Sequence, residues 1–389
     1  MDALGLARLQ FALTTSFHFL FVLLTIGLVT VVAVMQTRAT LTGGAVHLRM
    51  TRFWGRLYVV NYAMGIATGI VMEFQFGLNW SGLSEFAGDV FGAPLAVETL
   101  VAFFLESTFL GLWIFGWDRL NRWAHLALIW LVALTAYASA VWIMVANGFL
   151  QHPVGYEVHD GVLRLVDLGA LLTNPTFTVA VAHLVFGALT VAGVFVTGVS
   201  AWHFLRRTAE VDFFRRSLRT GVWTTALATP FLIGAGFGQF PVIAQFQPGK
   251  TEAAGPVGGA GLGVMIQIGF TLFLVSWLTL PLLWRDRVTR WRPVLWLMVI
   301  GVPLPFAAAI LGWLLRELGR QPWLVYGLLR TEDALSPVDA GGMLTSLIAF
   351  AGVFLVLAVA DWVVIARLAA RGPDPESAPA PVSPLVPAL

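Results

Sequence analysis

The chain has 389 residues, of which 58% are hydrophobic and 11% charged, with a mean hydropathy of +0.82 and a formal net charge of +2. That composition excludes a soluble globular domain, whose charged share is about a quarter. Cysteine is absent, which excludes thiolate iron–sulfur clusters, covalent C-x-x-C-H haem attachment and cysteine zinc sites within the chain.

About 20 consecutive apolar residues cross a bilayer, and nine such runs follow one another at roughly 11–37, 53–76, 92–117, 124–147, 179–204, 217–237, 261–284, 294–315 and 341–366. No interval between them holds a separate soluble domain, and no repeat of fixed period is visible. The expected fold class is all-α: a polytopic membrane protein with about nine transmembrane helices in bundles, one domain over residues 1–371. The N-terminus lacks a Lys/Arg-rich leader and a small-residue cleavage site, so the first span is expected to be retained. The Pro-rich, aromatic-free tail from Gly372 to Leu389 is expected to be disordered.

Loops after the odd-numbered spans carry most of the arginines: Arg38, Arg49, Arg52 and Arg56, then Arg119 and Arg122, then the cluster from Arg206 to Arg219. Arg285, Arg287, Arg290 and Arg292 follow, and finally Arg367 and Arg371. The opposite side holds Arg8, Arg164, Lys250, Arg316, Arg320 and Arg330, a bias of about three to one. The positive-inside rule therefore places the N-terminus outside and the C-terminus in the cytoplasm. The net charge gives no reason to expect a nucleic-acid partner, since the basic residues follow a membrane rule.

In chain order, the first span carries His18 in LQFALTTSFHFLF. The second ends with Glu73 in IVMEFQFGLNW, either a boundary residue or a buried acid. The third carries two carboxylates, Glu98 and Glu106, within the stretch from Phe91 to Trp117. A charge at mid-bilayer costs roughly 2.5–3.5 kcal/mol on insertion scales, so two in one span point to ion or proton handling. On a regular helix they stand about 12 Å apart along the axis and about 80° apart around it, a spacing that suits a relay. Ser107 and Thr108 adjoin Glu106, although hydroxyls in such helices commonly bond their own backbone.

His183 lies in the fifth span and Met265 in the seventh. A lone histidine in an apolar helix serves equally as a structural group or a ligand, and such a methionine is ordinarily packing. Neutral imidazole is nonetheless the usual haem ligand, and a His/Met pair is a known axial set. The eighth span runs into GWLLRELGRQPW (Gly312–Trp323), with Gly319 and Pro322 as a helix stop. Arg320 there can match a propionate in bidentate fashion, and Trp313 is a further cofactor-binding candidate, although it and Trp323 equally fit an aromatic belt. Asp361, near the inner end of the ninth span, could open a proton path but reads better as a snorkelling interfacial acid. Given the orientation, His18, Glu98, His183, Met265 and Glu317 share the outer part of the membrane, which points to a cofactor site there.

Six segments, RLQFALTTSFHFLF, RFWGRLYVVNYAMGIATGIVMEFQFGLNW, FGAPLAVETLVAFFLESTF, GWDRL, VANGFLQHPVG and GWLLRELGRQPW, occur in the order and context of subunit I of the cytochrome bd-type terminal oxidases. The chain resembles that family up to about residue 367. The resemblance implies a bacterial inner-membrane quinol:O2 oxidoreductase with two b-type haems and one d-type haem, all noncovalent. It implies His183 and Met265 as axial ligands of the low-spin b haem, and His18 and Glu317 as ligands at the other two haems. Glu98 and Glu106 then match acids tied to haem ligation and to proton delivery from the cytoplasm. A second membrane subunit, with a small accessory subunit, would be the partners, and quinol and O2 the substrates.

One segment departs from the family. The outward loop that takes part in quinol binding is very short here. Lys250 matches the lysine of its K-x-x-x-x-E pattern, but Gly255 stands where the glutamate is expected and Glu252 is the only nearby acid. Gly263 also stands where the family has an arginine two residues before the methionine ligand. Three other readings stay open: a bd-like oxidase with a non-quinol donor, a haem-free proton-coupled transporter, and a haem-binding subunit without catalysis.

Overall fold

The computed structural model describes residues 1–374; the expectation of a disordered tail falls mostly on residues outside that range. Among the described residues nine helices are long and apolar enough to cross a membrane. They are α1 (Ala3–Thr42), α2 (Ala45–Asn79), α3 (Ser81–Phe115), α4 (Arg122–Gln151), α5 (Pro175–Leu205), α6 (Val211–Phe246), α7 (Gly255–Arg290), α8 (Arg292–Leu318) and α9 (Ala340–Arg371). Helices dominate because a bilayer offers no water to the backbone, so each peptide group must bond within its own segment. The all-α polytopic expectation holds.

The helices outrun the apolar stretches because polar caps and flanking turns extend them. Asp2, Asn121 and Asp339 each accept a backbone N–H from the first turn of α1, α4 and α9. Asn174 does the same for α5, with Pro175 at the first helical position. The start of α3 lies well before residue 92 because SGLSEFAGDV carries two acids that lower its hydropathy. Its helical period nevertheless buries Leu83, Ala87, Val90 and Phe91.

Four spans are not regular rods. In α3 the residues Glu98–Phe103 form a π-helical turn, just after Pro94, which supplies no N–H to the ladder. α8 is split into Arg292–Ile300 and Leu304–Leu318 around Gly301 and Pro303. α6 continues past Phe237 as a separate turn, Gln239–Phe246. α7 breaks at Trp284–Asp286, where Arg285 and Asp286 stand at φ of 53° and 55°, and short 3-10 turns flank the kink up to Arg290.

Association of helices in lipid draws on close van der Waals contact rather than on hydrophobic burial. The α5–α6 pair shows this directly. A Cβ on Gly193 would stand 2.8 Å from the Thr225 backbone N, and one on Gly221 would stand 2.7 Å from the Gly193 carbonyl oxygen, so the two backbones touch. Near the basic end, Gln36 of α1 accepts from Trp113 Nε1 at 2.8 Å and pairs with His125 Nδ1 at 2.9 Å. His125 Nε2 meets the Trp113 carbonyl at 2.8 Å, so this buried triad ties α1, α3 and α4.

At the opposite end two small hairpins cover the bundle. β1 (Tyr156–His159) pairs with β2 (Val162–Leu165) across Asp160 and Gly161, both with positive φ. β3 (Trp323–Val325) pairs with β4 (Leu329–Arg330). Leu163, Val325 and Leu329 pack with Leu83 and Phe149 in one apolar cluster. At the basic end Arg49 pairs with Glu210 at 2.8 Å and Arg56 with Asp374 at 2.5 Å. The hydrogen bond from Arg56 holds the exposed Asp374 carboxyl below its usual range.

Asp361 is not a snorkelling acid. It is 2% exposed, and neither carboxylate oxygen has a hydrogen-bond partner among the described residues. Its helical neighbours Phe354, Ala358 and Ile365 are buried on the same face of α9, so the acid points into the bundle.

Candidate functional site

One continuous cavity of about 540 Å³ opens inside the bundle. Its wall collects His18, Glu98, Glu106, His183, Lys250, Met265, Trp313, Glu317 and Arg320, so nine of the ten residues expected to carry protons or to bind cofactor or quinol meet at one place, with Glu73 beside them. Glu252 is not on that wall. Trp313 does not sit in an outer belt; its ring packs against Phe11 and Phe19 at 5.9 and 6.0 Å between centroids.

Both histidines are held by Nδ1. Thr68 donates its hydroxyl to the Met64 carbonyl at 2.8 Å, which leaves its oxygen to accept from His18 Nδ1 at 2.9 Å. His183 Nδ1 meets the Leu232 carbonyl at 2.9 Å, and a carbonyl only accepts. In each neutral ring the proton therefore sits on Nδ1 and the lone pair on Nε2. That is how metal-ligating imidazoles are oriented. Small residues make the space: a Cβ on Gly236 would stand 3.0 Å from the His183 ring, and one on Gly312 only 2.5 Å from the Met265 sulfur.

Glu317 ends α8 within a dense polar set. Its Oε1 accepts from Asn147 Nδ2 at 3.0 Å and from Gln151 Nε2 at 3.4 Å; its Oε2 accepts from Arg320 Nη2 at 2.5 Å. Arg316 donates through Nε to Asn147 Oδ1 at 2.6 Å. Arg320 is 2% exposed, yet its Nε and Nη1 have no partner among the described residues. Buried, unanswered guanidinium donors beside a large apolar cavity call for an acidic group from a ligand.

Glu98 accepts a short hydrogen bond from Ser139 and another from Thr99 at 3.2 Å. The same Thr99 hydroxyl stands 3.1 and 3.2 Å from the two oxygens of Glu73. Glu73 is thus no boundary residue but the partner of Glu98 across α2 and α3. Glu106 is 5% exposed, and its side chain has no hydrogen-bond partner among the described residues. The 80° offset expected for a regular helix does not apply. A π turn absorbs one extra residue, so the eight-residue step acts as roughly seven and brings the acids within about 20° of one line. Of the neighbouring hydroxyls, Thr108 bonds its own backbone at 2.8 Å and Ser107 reaches Tyr62 at 3.4 Å.

Lys250 is buried, and its Nζ donates to Gln151 Oε1 at 2.7 Å, Gln247 Oε1 at 2.7 Å and the Arg316 carbonyl at 3.0 Å. Desolvation, together with the charges of Arg316 and Arg320, pushes it well below the ordinary lysine range, against the pull of Glu317. Gly255, where the family pattern has glutamate, sits at φ 64°, a conformation that favours glycine.

Thr68, Thr99, Ser139, Asn147, Gln151 and Arg316 complete the site and were not singled out from sequence. All but Ser139 lie in the matched segments, Thr68 in RFWGRLYVVNYAMGIATGIVMEFQFGLNW, Thr99 in FGAPLAVETLVAFFLESTF, Asn147 and Gln151 in VANGFLQHPVG and Arg316 in GWLLRELGRQPW, so a signal for those five was present there.

Two imidazole Nε2 lone pairs, a thioether, a carboxylate and an unanswered guanidinium around an apolar cavity fit noncovalent haem. A helical membrane bundle enclosing that donor set, with carboxyl groups at mid-span, has the make-up of a membrane-bound oxidoreductase. The chain belongs to the cytochrome bd terminal oxidase subunit I family, whose profile matches residues 6–257 and 260–373. It is 38% identical to cytochrome bd ubiquinol oxidase subunit 1 of Bacillus subtilis, over 92% of this chain and 91% of that one. It is 31% identical to cytochrome bd-II ubiquinol oxidase subunit 1 of Escherichia coli, over 96% and 97%. The fold superposes on the bd oxidase of Geobacillus thermodenitrificans with a TM-score of 0.89 at 25% identity, covering 96% of this chain and 99% of that one. Family and spans together define a multi-pass bacterial membrane protein and an oxidoreductase subunit, which sets aside the haem-free transporter.

Proposed function

We propose that this chain is the haem-bearing catalytic subunit of a bd-type respiratory oxidase that oxidises quinol and reduces O2 to water with protons from the cytoplasm. The observation that carries the reading is the convergence of His18, His183, Met265 and Glu317 on one cavity together with Glu98 and Glu106. His183 and Met265 would hold the low-spin b haem; His18 and Glu317 would hold the other b haem and the d haem; Arg320 would receive a propionate. Once bound, these haems supply electron transfer and the iron at which O2 is reduced.

The remaining work falls to the protein's own acids. Glu106 has no fixed partner, which leaves its carboxyl free to turn, accept a proton from the basic end and release it toward Glu98. Ser139 and Thr99 orient Glu98, and Glu73 stands beside it to accept or return a proton through the Thr99 hydroxyl. The basic end is the cytoplasmic one in this reading, with the N-terminus outside. The lipid- or partner-facing side of α3 exposes Leu100, Phe104 and Phe115; the second membrane subunit would cover it, with a small accessory subunit elsewhere on the bundle.

A second reading, a donor other than quinol, is favoured by the loop. Lys250 is committed to three acceptors, and Glu252 is off the cavity wall. The test is a reduced-minus-oxidised optical spectrum of the purified complex, followed by O2 consumption with ubiquinol, menaquinol and a small artificial reductant. Absence of haem bands would sink the oxidase reading. Bands with O2 consumption from the artificial reductant alone would favour the second. Bands without O2 consumption from any donor would point to a haem-binding subunit that lacks catalysis.

A further inference from the structure

A second pocket, of about 620 Å³, lies at the basic end between α1, α5, α6 and the start of α2, apart from the cavity that holds the acids and histidines. Four cationic or protonatable side chains stand on its wall: Arg38, His47, Arg216 and Arg219. Arg38, in the last turns of α1, has no side-chain partner among the described residues. Arg216 spends only its Nε on Asp212, at 2.8 Å, and Arg219 meets Asp286 at 2.9 Å. The charges of Arg38, Arg216 and Asp212 all bear on His47. The two acids thus offset part of the positive charge and leave a net cationic mouth.

The rest of the pocket changes character along α6. Arg216 and Thr220 are followed by Trp223, Leu227 and Phe231 on one helical face, over about 12 Å from Trp223 to Phe231. These three are at least half exposed. Phe186 of α5 stacks on Phe231 at 5.0 Å and floors the groove. A charged mouth at the membrane surface leading into an apolar groove toward mid-bilayer has the polarity profile of a phospholipid. A free phosphate would satisfy the arginines and leave the aromatic stripe uncovered.

We propose that this pocket binds one anionic phospholipid of the leaflet at the basic end. The phosphodiester lies between Arg38 and Arg216, and an acyl chain runs along Trp223, Leu227 and Phe231. Guanidinium groups match phosphate oxygens in bidentate fashion, and basic pockets between membrane helices select anionic headgroups. Arg219 lines the mouth beside them and favours negatively charged over zwitterionic lipid.

The test is native mass spectrometry of the intact complex in detergent, titrated with phosphatidylglycerol or with phosphatidylcholine of the same chains. Wild type should retain phosphatidylglycerol in preference. Arg38→Gln should weaken retention about fivefold and Arg38→Gln with Arg216→Gln about twenty-fold or more, on roughly one surface-arginine contribution each. Arg38→Lys should keep most of it, and Trp223→Ala should weaken both lipids alike. The charge-matched pair Arg290→Gln with Arg371→Gln, away from the pocket, should leave retention unchanged. Equal retention of the two lipids by wild type, or an equal loss in the control pair, overturns the proposal. So does displacement of the lipid by soluble glycerol phosphate, which would mark a free-anion site. A photo-crosslinker at position 227 that captures a polypeptide instead of lipid overturns it as well.

Discussion

Lys250 donates from Nζ to the main-chain carbonyl of Arg316 at 3.0 Å, the residue before Glu317. Gln151 joins the two from the side, accepting from Lys250 at 2.7 Å and donating to Glu317 at 3.4 Å. The shortened outer loop is therefore fastened to the same few atoms that orient the carboxylate at the end of α8.

Lys250→Ala removes three hydrogen bonds and leaves buried acceptors unanswered, at a cost of about 1–3 kcal/mol in stability. We expect a raised quinol KM together with a perturbed spectrum of the haem at Glu317. An unchanged KM with a shifted spectrum would show that the lysine serves only to position Glu317.

Stability should also depend on pH through Lys250. Its folded-state value is depressed, so between that value and the unfolded one, about 10.4, the unfolded chain binds more protons. Stability then rises with pH across this window and levels off at its upper end. A thermal-melt series of the solubilised complex on the alkaline side measures the slope, and Lys250→Met should flatten it. A Lys250→Met series parallel to wild type would refute the assignment.

His183→Ala should abolish the low-spin optical signal and leave the high-spin signals largely in place. Gly312→Ala offers a gentler version, since its methyl would meet the Met265 sulfur at 2.5 Å. Overpacking of that kind typically costs about 1–3 kcal/mol. The sulfur should withdraw and convert the low-spin signal to a high-spin one. Retention of an unaltered low-spin spectrum in Gly312→Ala would count against Met265 as a ligand.

Glu106→Gln keeps the shape of the side chain and removes its transferable proton. Loss of a positioned proton carrier commonly lowers turnover about 10²–10⁴-fold, and a fall in that range is expected in steady-state O2 consumption. Haem content measured on the same sample should be unchanged. Full turnover in Glu106→Gln would mean that protons reach the site by another route.

The membrane architecture was legible because nine runs of apolar residues each need only local backbone bonding to become helices. His18, His183, Met265 and Glu317 could be picked out for a related reason, since an imidazole, a thioether or a carboxylate stands out in or beside an apolar span, and the fold brings all four to one cavity wall. Their supports were not legible. Thr68 holds His18 from 50 residues away, and the Leu232 carbonyl holds His183 from 49 away, so neither contact leaves a local pattern. Asp361 was misread because depth along a helix is visible in sequence while the direction of its face depends on partners. Lys250 was read as a donor-site lysine, and only the fold reveals how many acceptors already surround it.

The π turn in α3 sets a rule about length. Removing one residue between Glu98 and Glu106 would let the ladder return to ordinary α geometry, a local gain in backbone regularity. The same deletion would shorten the segment by one residue and leave the two acids about seven regular steps apart, so their mutual facing could survive. Lengthening is the change the site does not tolerate: the turn already absorbs one extra residue, so a further insertion would rotate everything before it by about 100° and take Glu98 out of register with Ser139 on α4 and Glu73 on α2. The irregular turn thus marks a place where the chain can lose a residue but not gain one.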